Sequence, residues 1–193
     1  MNVAHNLLCS SGWWDRRVER ELVPWGVKGV ELGDDVLEIG PGFGATTRVL
    51  APWLERLTVL ELDRGYCERL QAELGRGTGR GAAVEVVEGD ATQLPFGEGR
   101  FSTVLCFTML HHIPSVAQQD QVFGEVARVL RPGGVFAGTD SIGSGWLFRA
   151  IHIGDTLNLI APERLPARLE AAGLTVSEVN RGGRSFRWRA TKR

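Results

Sequence analysis

Short runs of branched and aromatic apolar residues alternate with amphipathic segments along this chain, and few folds can accommodate that alternation. The runs are Val36–Ile39, Leu57–Leu62, Ala83–Val87, Ser102–Phe107 and Gly134–Thr139. Thr46–Leu54, Arg64–Leu74 and Gln118–Leu130 lie between them and carry apolar residues at the three- and four-residue spacing of helices. Strands that are apolar on both faces must be covered on both faces, and intervening helices supply that cover, so a mostly parallel sheet is expected. Arg131-Pro132-Gly133-Gly134 is a breaker cluster that should close the last of these helices. A further helix is expected around Glu163–Ala172, ended by Gly173. Leu174–Val179 and Ser185–Ala190 then flank Asn180–Arg184, a connection too short for a helical crossover. The last strand should therefore run antiparallel. The reading is an α/β fold, a doubly wound seven-stranded sheet with an antiparallel C-terminal strand.

A length of 193 residues suits one domain. Within it, residues 1–30 read as a tryptophan-rich helical lid interrupted at Pro24, 31–140 as a core, 141–162 as a substrate-side insertion, and 163–193 as a helix and hairpin. Twenty-two basic and 23 acidic side chains leave a net charge of -1, which argues against a globally basic nucleic-acid binder. Residues 180–193 carry six basic and no acidic side chains. Phe186, Trp188 and Ala190 alternate there with Arg187 and Arg189, as in a half-buried strand with one solvated face. The three cysteines, Cys9, Cys67 and Cys106, form no C-x-x-C pair, so neither a disulfide framework nor a metal site is expected. With no apparent signal peptide or membrane span, the expected location is cytoplasmic.

Val36-Leu37-Glu38-Ile39-Gly40-Pro41-Gly42-Phe43-Gly44-Ala45-Thr46 is a strand running into a glycine turn that opens a helix, a geometry that brings backbone close to a ligand. Gly40, Gly42 and Ala45 also satisfy the G-x-G-x-x-G/A dinucleotide pattern, with Glu61 about 20 residues on where a ribose-binding acid is wanted. Two cofactor classes therefore compete. Glu38, Glu61 and Asp90 place carboxylates near three successive strand ends, which suits a cationic, phosphate-free nucleoside better than a pyrophosphate. Leu94-Pro95-Phe96 is the expected apolar wall for a flat base.

Over residues 34–140 the sequence resembles the class I S-adenosylmethionine-dependent methyltransferases. The resemblance rests on Val36–Gly44, Leu60-Glu61-Leu62-Asp63, Glu88–Phe96 and Val129-Leu130-Arg131-Pro132-Gly133-Gly134. Met109-Leu110-His111-His112-Ile113 matches the small-molecule and quinone/lipid group within that class. The resemblance implies a Rossmann-like methyltransferase fold with S-adenosyl-L-methionine as cofactor. It puts Gly40, Pro41, Gly42 and Gly44 under the methionine part and Glu38 near its amino group. Glu61 and Leu62 would meet the ribose, Asp90 and Ala91 the adenine, and Phe107 would complete the cofactor site.

Methyl transfer requires mainly alignment and exclusion of water. A phenol, acid or amine acceptor also benefits from a base near neutral pKa, for which His111 and His112 are the candidates. Trp13, Trp14, Trp146 and Phe148 are candidate walls of an apolar acceptor pocket, with Ile151 and Ile153 beside them and His5, Asn6 and His152 as polar contacts. The same tryptophans would equally suit packing of terminal helices or a homodimer interface. Phe107-Thr108-Met109-Leu110 stands where enzymes that methylate base or glutamine amino groups carry Asn/Asp-Pro-Pro-Tyr, so a small apolar or lipid-like acceptor is expected and nucleic acid disfavoured. An RNA methyltransferase, an NAD-dependent oxidoreductase and a non-catalytic nucleoside-binding module remain as alternatives.

Overall fold

The computed structural model describes residues 11–75, 83–143, 154 and 156–193. Seven strands form one sheet in the order β3-β2-β1-β4-β5-β7-β6. They are β1 Val36–Ile39, β2 Leu57–Glu61, β3 Val84–Glu88, β4 Phe101–Phe107, β5 Leu130–Ser141, β6 Leu174–Gly182 and β7 Ser185–Lys192. The first five pair in parallel. β7 runs antiparallel to both β5 and β6, between which it inserts. The doubly wound sheet with one antiparallel C-terminal strand is thus observed, and the position of β7 inside the sheet adds to it.

The strands are apolar on both faces because each face has its own cover. Successive β1 residues divide between two cores: Val36 packs with one and Leu37 and Ile39 with the other. On one face lie α4 (Val116–Val129) and α5 (Leu165–Ala171). On the other lie α1 (Gly12–Gly26), α2 (Ala45–Leu50) and α3 (Arg64–Leu74). α4 starts where the Ser115 side chain accepts a hydrogen bond from the Gln118 N–H, and α3 where Asp63 does the same for Tyr66. α2 gives way to a 3₁₀ turn at Ala51–Trp53, which contains Pro52.

The breaker cluster before the fifth strand proves to be part of it. β5 begins at Leu130, opposite Phe101, and a register shift separates that pair from Thr103 and Val135. The extra residues are absorbed as an irregularity within the ladder. Phe136, Trp188 and Phe186 stack across β5 and β7 with ring centroids 5.3 and 5.8 Å apart, all fully buried.

α1 comprises Gly12–Arg17, a π-helical turn over Val18–Leu22 and Val23–Gly26. Pro24 has no N–H to donate, and the hydrogen-bond register widens just before it, where the Val23 N–H reaches the Val18 carbonyl. The helix axis continues through that change. Val18, Leu22 and Val23 are buried against the sheet together with Leu50 and Phe107. Residues 12–26 therefore cover a sheet face, as α2 and α3 do.

The C-terminal hairpin holds α1 in place. Arg187 donates to the Trp25 carbonyl at 2.8 Å and stacks over the Trp25 ring, while Arg189 donates to the Gly29 carbonyl at 2.5 Å. Both arginines also pair with Glu178. These two cations of the basic tail are spent inside the fold. Among the described residues no helix is long and apolar enough to cross a membrane, and no cluster of metal-ligating side chains occurs.

Candidate active site

The strand order reverses between β1 and β4, where successive crossovers leave in opposite directions and open a crevice at the carboxyl edge of the sheet. A cavity of about 590 Å³ occupies that crevice. Its walls come from the glycine turn after β1, the ends of β2 and β3, the loop after β4, the start of α4, and Trp14 of α1.

Gly40, Pro41, Gly42 and Phe43 form the turn against the cavity. Gly40 has φ +68°, and a Cβ there would lie 2.3 Å from Met109 Cγ, so the β4 loop packs directly on the turn. At Gly42 a Cβ would meet nothing within 4 Å, so the space above the turn is open to a ligand. Gly44 has another task. It caps α2 at φ +76° and does not line the cavity; a Cβ would strike Leu70 of α3 at 2.5 Å. The structure thus gives Gly44 a role in helix packing and leaves it outside the cavity lining.

Glu61, at the end of β2, is the hub of this half. Its Oε2 accepts from the Gly42 N–H at 2.9 Å, and its Oε1 accepts from the Leu62 and Asp63 N–H groups at 2.8 and 3.0 Å. The carboxylate thereby fixes the glycine turn to the β2 end and retains lone-pair capacity on Oε2 for a hydroxyl group. Leu62 is 70% exposed and lines the cavity rather than packing beneath it. Asp63 caps α3, and Tyr66 stacks on Phe43 at 4.9 Å along the same wall. Asp90 and Ala91 line the far end, with Asp90 Oδ1 accepting from the Thr92 N–H at 2.8 Å. The expected wall of Leu94 and Phe96 is corrected: Leu94 is buried, its N–H bonded to Glu125, and Phe96 packs edge-on against Phe101.

Glu38 lies beneath the turn and does not line the cavity. Its carboxylate is 1% exposed and accepts hydrogen bonds from the Thr46 and Thr47 hydroxyls of α2. Burial pushes its pKa up to about 7 against those two hydrogen bonds, with the nearby Glu61 carboxylate adding to the rise. It is positioned to reach a ligand through Thr46, which does line the cavity.

The opposite wall carries Phe107, Thr108, Met109, His112, Ile113, Pro114, Gln118 and Val122. A 3₁₀ turn at Leu110–His112 keeps the two imidazoles side by side, ring centroids 4.2 Å apart, but gives them different further surroundings. His112 lines the cavity, whereas His111 is 3% exposed, with Nδ1 against Asp140 Oδ1. Of the two candidate bases, His112 alone is in the cavity lining. The loop is held at several points: the His111 N–H donates to Asp140 at 3.1 Å and the His111 carbonyl accepts from the Asn158 N–H at 2.7 Å. Gln119 donates to the Leu110 carbonyl at 3.0 Å, and Asn158 to the Ile113 carbonyl at 3.1 Å.

The Arg17 guanidinium lies over both Trp13 and Trp14, 5.7 and 5.9 Å from their ring centroids; Trp14 lines the cavity, while Trp13 is 54% exposed and does not, so at this pair the expected pocket wall reduces to Trp14. Trp146, Phe148, Ile151, Ile153, His152, His5 and Asn6 lie outside the described residues. Phe43, Thr46, Tyr66, Thr108, Gln118 and Thr156 line the cavity without having been singled out from the sequence. Tyr66 sits one helical turn past the Asp63 cap, a spacing that offered a signal; Thr108 had none.

The electrostatics decide between the two cofactor classes. Glu61, Asp63 and Asp90 line the cavity, and no lysine or arginine does so among its described residues. The Gly42 N–H, which a pyrophosphate would need, is already taken by Glu61. The chain belongs to the methyltransferase domain family, whose match spans residues 37–138. It is a class I S-adenosylmethionine-dependent methyltransferase. The methyltransferase is 30% identical over 195 residues to a ubiquinone biosynthesis O-methyltransferase of Azotobacter vinelandii, covering 86% of this chain and 79% of that protein. It is 31% identical to the methyltransferase GfsG of Streptomyces halstedii, over 78% of this chain but 56% of that protein, so it spans little more than half of GfsG. Among solved structures, the N-methyltransferase NodS of Bradyrhizobium japonicum, in complex with S-adenosyl-L-homocysteine, superposes with a TM-score of 0.71. That match covers 99% of this chain and 93% of NodS at 20% identity.

Proposed function

We propose that this methyltransferase transfers a methyl group to a hydroxyl of a small apolar molecule, with His112 as the base. The observation that carries the reading is the wall opposite the glycine turn, where a firmly held loop presents one imidazole among mostly apolar side chains, with Thr108 and Gln118 as the other polar groups. A carboxylate acceptor would need no base and would be attracted by a cation, yet the described lining offers none and already carries three acids. A neutral hydroxyl needs its proton removed, and imidazole is suited to that near neutral pH. The named activity of the Azotobacter relative, O-methylation, agrees with this class. Engagement of Arg187 and Arg189 by Trp25, Gly29 and Glu178 supports a small molecule over a nucleic acid.

The residues present fit S-adenosylmethionine: an open glycine turn, an acid with spare acceptor capacity and a wall without cations. In this reading Gly40, Pro41 and Gly42 hold the amino-acid end, with Glu38 acting through Thr46. Glu61 receives the ribose hydroxyls beside Leu62, and Asp90 and the Ala91 backbone hold the adenine, while Phe107 and Trp14 close the site against water. When bound, the cofactor supplies a methyl group on a positively charged sulfur, which departs with the carbon–sulfur electron pair as a nucleophile's lone pair takes the carbon. The acids lining the cavity would favour binding of a positively charged group. His112 takes the acceptor hydroxyl proton on a ring nitrogen. His111 and Asp140 hold its loop from below, and Ile113 and Val122 supply apolar surface.

The test is release of S-adenosylhomocysteine from S-adenosylmethionine with a panel of phenols, including catechol and 1-naphthol, set against dodecanoate. Methyl ethers of phenols are expected. Turnover of dodecanoate alone, or of none while S-adenosylhomocysteine binds, would refute the hydroxyl acceptor.

A further inference from the structure

Thr108, immediately after β4, has φ +51°. A β-branched residue in the left-handed region is a genuine outlier, since its Cβ crowds the backbone there. The other eleven described residues with positive φ are all glycine. Glycine is thus used wherever this chain needs the left-handed conformation, except at the position between the cofactor turn and the His112 loop. A side chain must therefore be wanted at 108.

The surroundings fix the distorted backbone. The Thr108 N–H donates to the Thr139 carbonyl at 2.7 Å, extending the β4–β5 ladder one residue beyond the strand. Beyond it, the buried Cys106 thiol interacts with the backbone N–H groups of Met109 and Leu110. Met109 packs on Gly40, so the chain is pinned on either side of Thr108. Thr108 itself lines the cavity, and its hydroxyl has no hydrogen-bond partner among the described residues. Strain held by surrounding structure and aimed into a site is what a positioned ligand contact requires.

We propose that Thr108 orients the acceptor: its Oγ1 hydrogen-bonds the acceptor oxygen and holds the attacking lone pair toward the glycine turn while His112 takes the proton. This rests on the hydroxyl-acceptor reading and assigns it a second acceptor-binding side chain. Thr108 stands on the cavity wall between Phe107 and Met109, where the β4 loop packs on the glycine turn.

Three variants test it, with catechol and 1-naphthol as probes. Thr108→Gly should raise Tm by ~2–4 °C, as relief of backbone strain would in a domain of this size. Both Thr108→Gly and Thr108→Val should lower kcat/KM for the phenols by at least ~10-fold, the worth of one oriented hydrogen bond. Thr108→Ser should recover most of the rate lost in Thr108→Val, and S-adenosylhomocysteine affinity by calorimetry should match wild type in all three. A lower Tm for Thr108→Gly overturns the proposal whatever the rates. So does wild-type kcat/KM in Thr108→Val, or a loss of rate that tracks S-adenosylhomocysteine affinity. Wild-type protein that binds S-adenosylhomocysteine yet methylates no phenol refutes the hydroxyl reading and this proposal with it, whereas an active wild type with an equally active Thr108→Val refutes Thr108 alone.

Discussion

Along the ends of β1, β2 and β3 the cavity wall is built from short local motifs: a glycine turn, an acid at the end of the adjacent strand, and backbone N–H groups that the acid gathers. Along β4 and β5 it is built from distant parts, with the His112 loop held by Asp140 and Asn158 and Trp14 brought in on α1. The first wall is carboxylate-rich and depends little on side-chain packing. The second is apolar, carries one imidazole and one strained hydroxyl, and depends on long-range contacts for its shape. The first construction suits a fixed, shared cofactor, and the second suits an acceptor that differs from one relative to the next.

The largest expected effect separates the two walls by rate. His112→Gln should lower kcat on phenols by ~10²–10⁴-fold, the usual contribution of a general base, and flatten the rise of rate with pH. Its S-adenosylhomocysteine affinity should stay at the wild-type value. Loss of cofactor affinity in that variant would join the two walls into one unit.

Next comes the pH dependence of the cofactor wall. Burial pushes the Glu38 carboxyl up to about 7 in the fold from its ordinary 4.5. Between those values the folded protein holds a proton that the unfolded chain has released, so the contribution of this group is full at low pH and is lost as pH rises through 7. The total is about 3 kcal/mol. Glu38→Gln, which keeps the shape and partners of the protonated form, should be more stable than wild type at pH 8 and close to it at pH 4.5, as read by denaturant unfolding. A variant less stable at pH 8 would mean that Thr46 and Thr47 require the carboxylate.

The smallest effect concerns support of the acceptor wall from behind. Arg187→Met removes the link from β7 to the Trp25 carbonyl and leaves Glu178 paired with Arg189 alone. A cost of about 2 kcal/mol is expected, seen as a Tm lower by ~4–8 °C, with little change in S-adenosylhomocysteine affinity. An unchanged Tm would free the basic tail for another role.

The same division explains what was legible in the sequence. Gly40, Gly42, Glu61, Leu62, Asp90 and Ala91 were visible because a strand, a turn and a helix start are local patterns, and all six reach the cavity. That Gly44 also packs on Leu70, a residue of another helix, is not visible locally. Nor is the burial of Glu38 beneath the turn, which follows from its partners Thr46 and Thr47 on α2. On the acceptor side, adjacent Trp13 and Trp14 are indistinguishable until the rotation of α1 is fixed by Val18, Leu22 and Val23 in the core. His111 and His112 are likewise separated only by the Asp140 that claims one of them. The basic tail read as a possible patch because nothing local shows that Arg187 and Arg189 reach residues 160 or more positions away. Backbone strain at Thr108 leaves no mark in a sequence at all.

Calorimetric titration of S-adenosylhomocysteine into wild type, Glu61→Gln and His112→Gln tests the separation most directly. Glu61 collects three backbone N–H groups, and an amide in its place presents a donor to donors and weakens the proposed ribose contact. The account predicts an affinity ~100-fold weaker in Glu61→Gln and equal to wild type in His112→Gln. Equal weakening in both variants, or in neither, would contradict it.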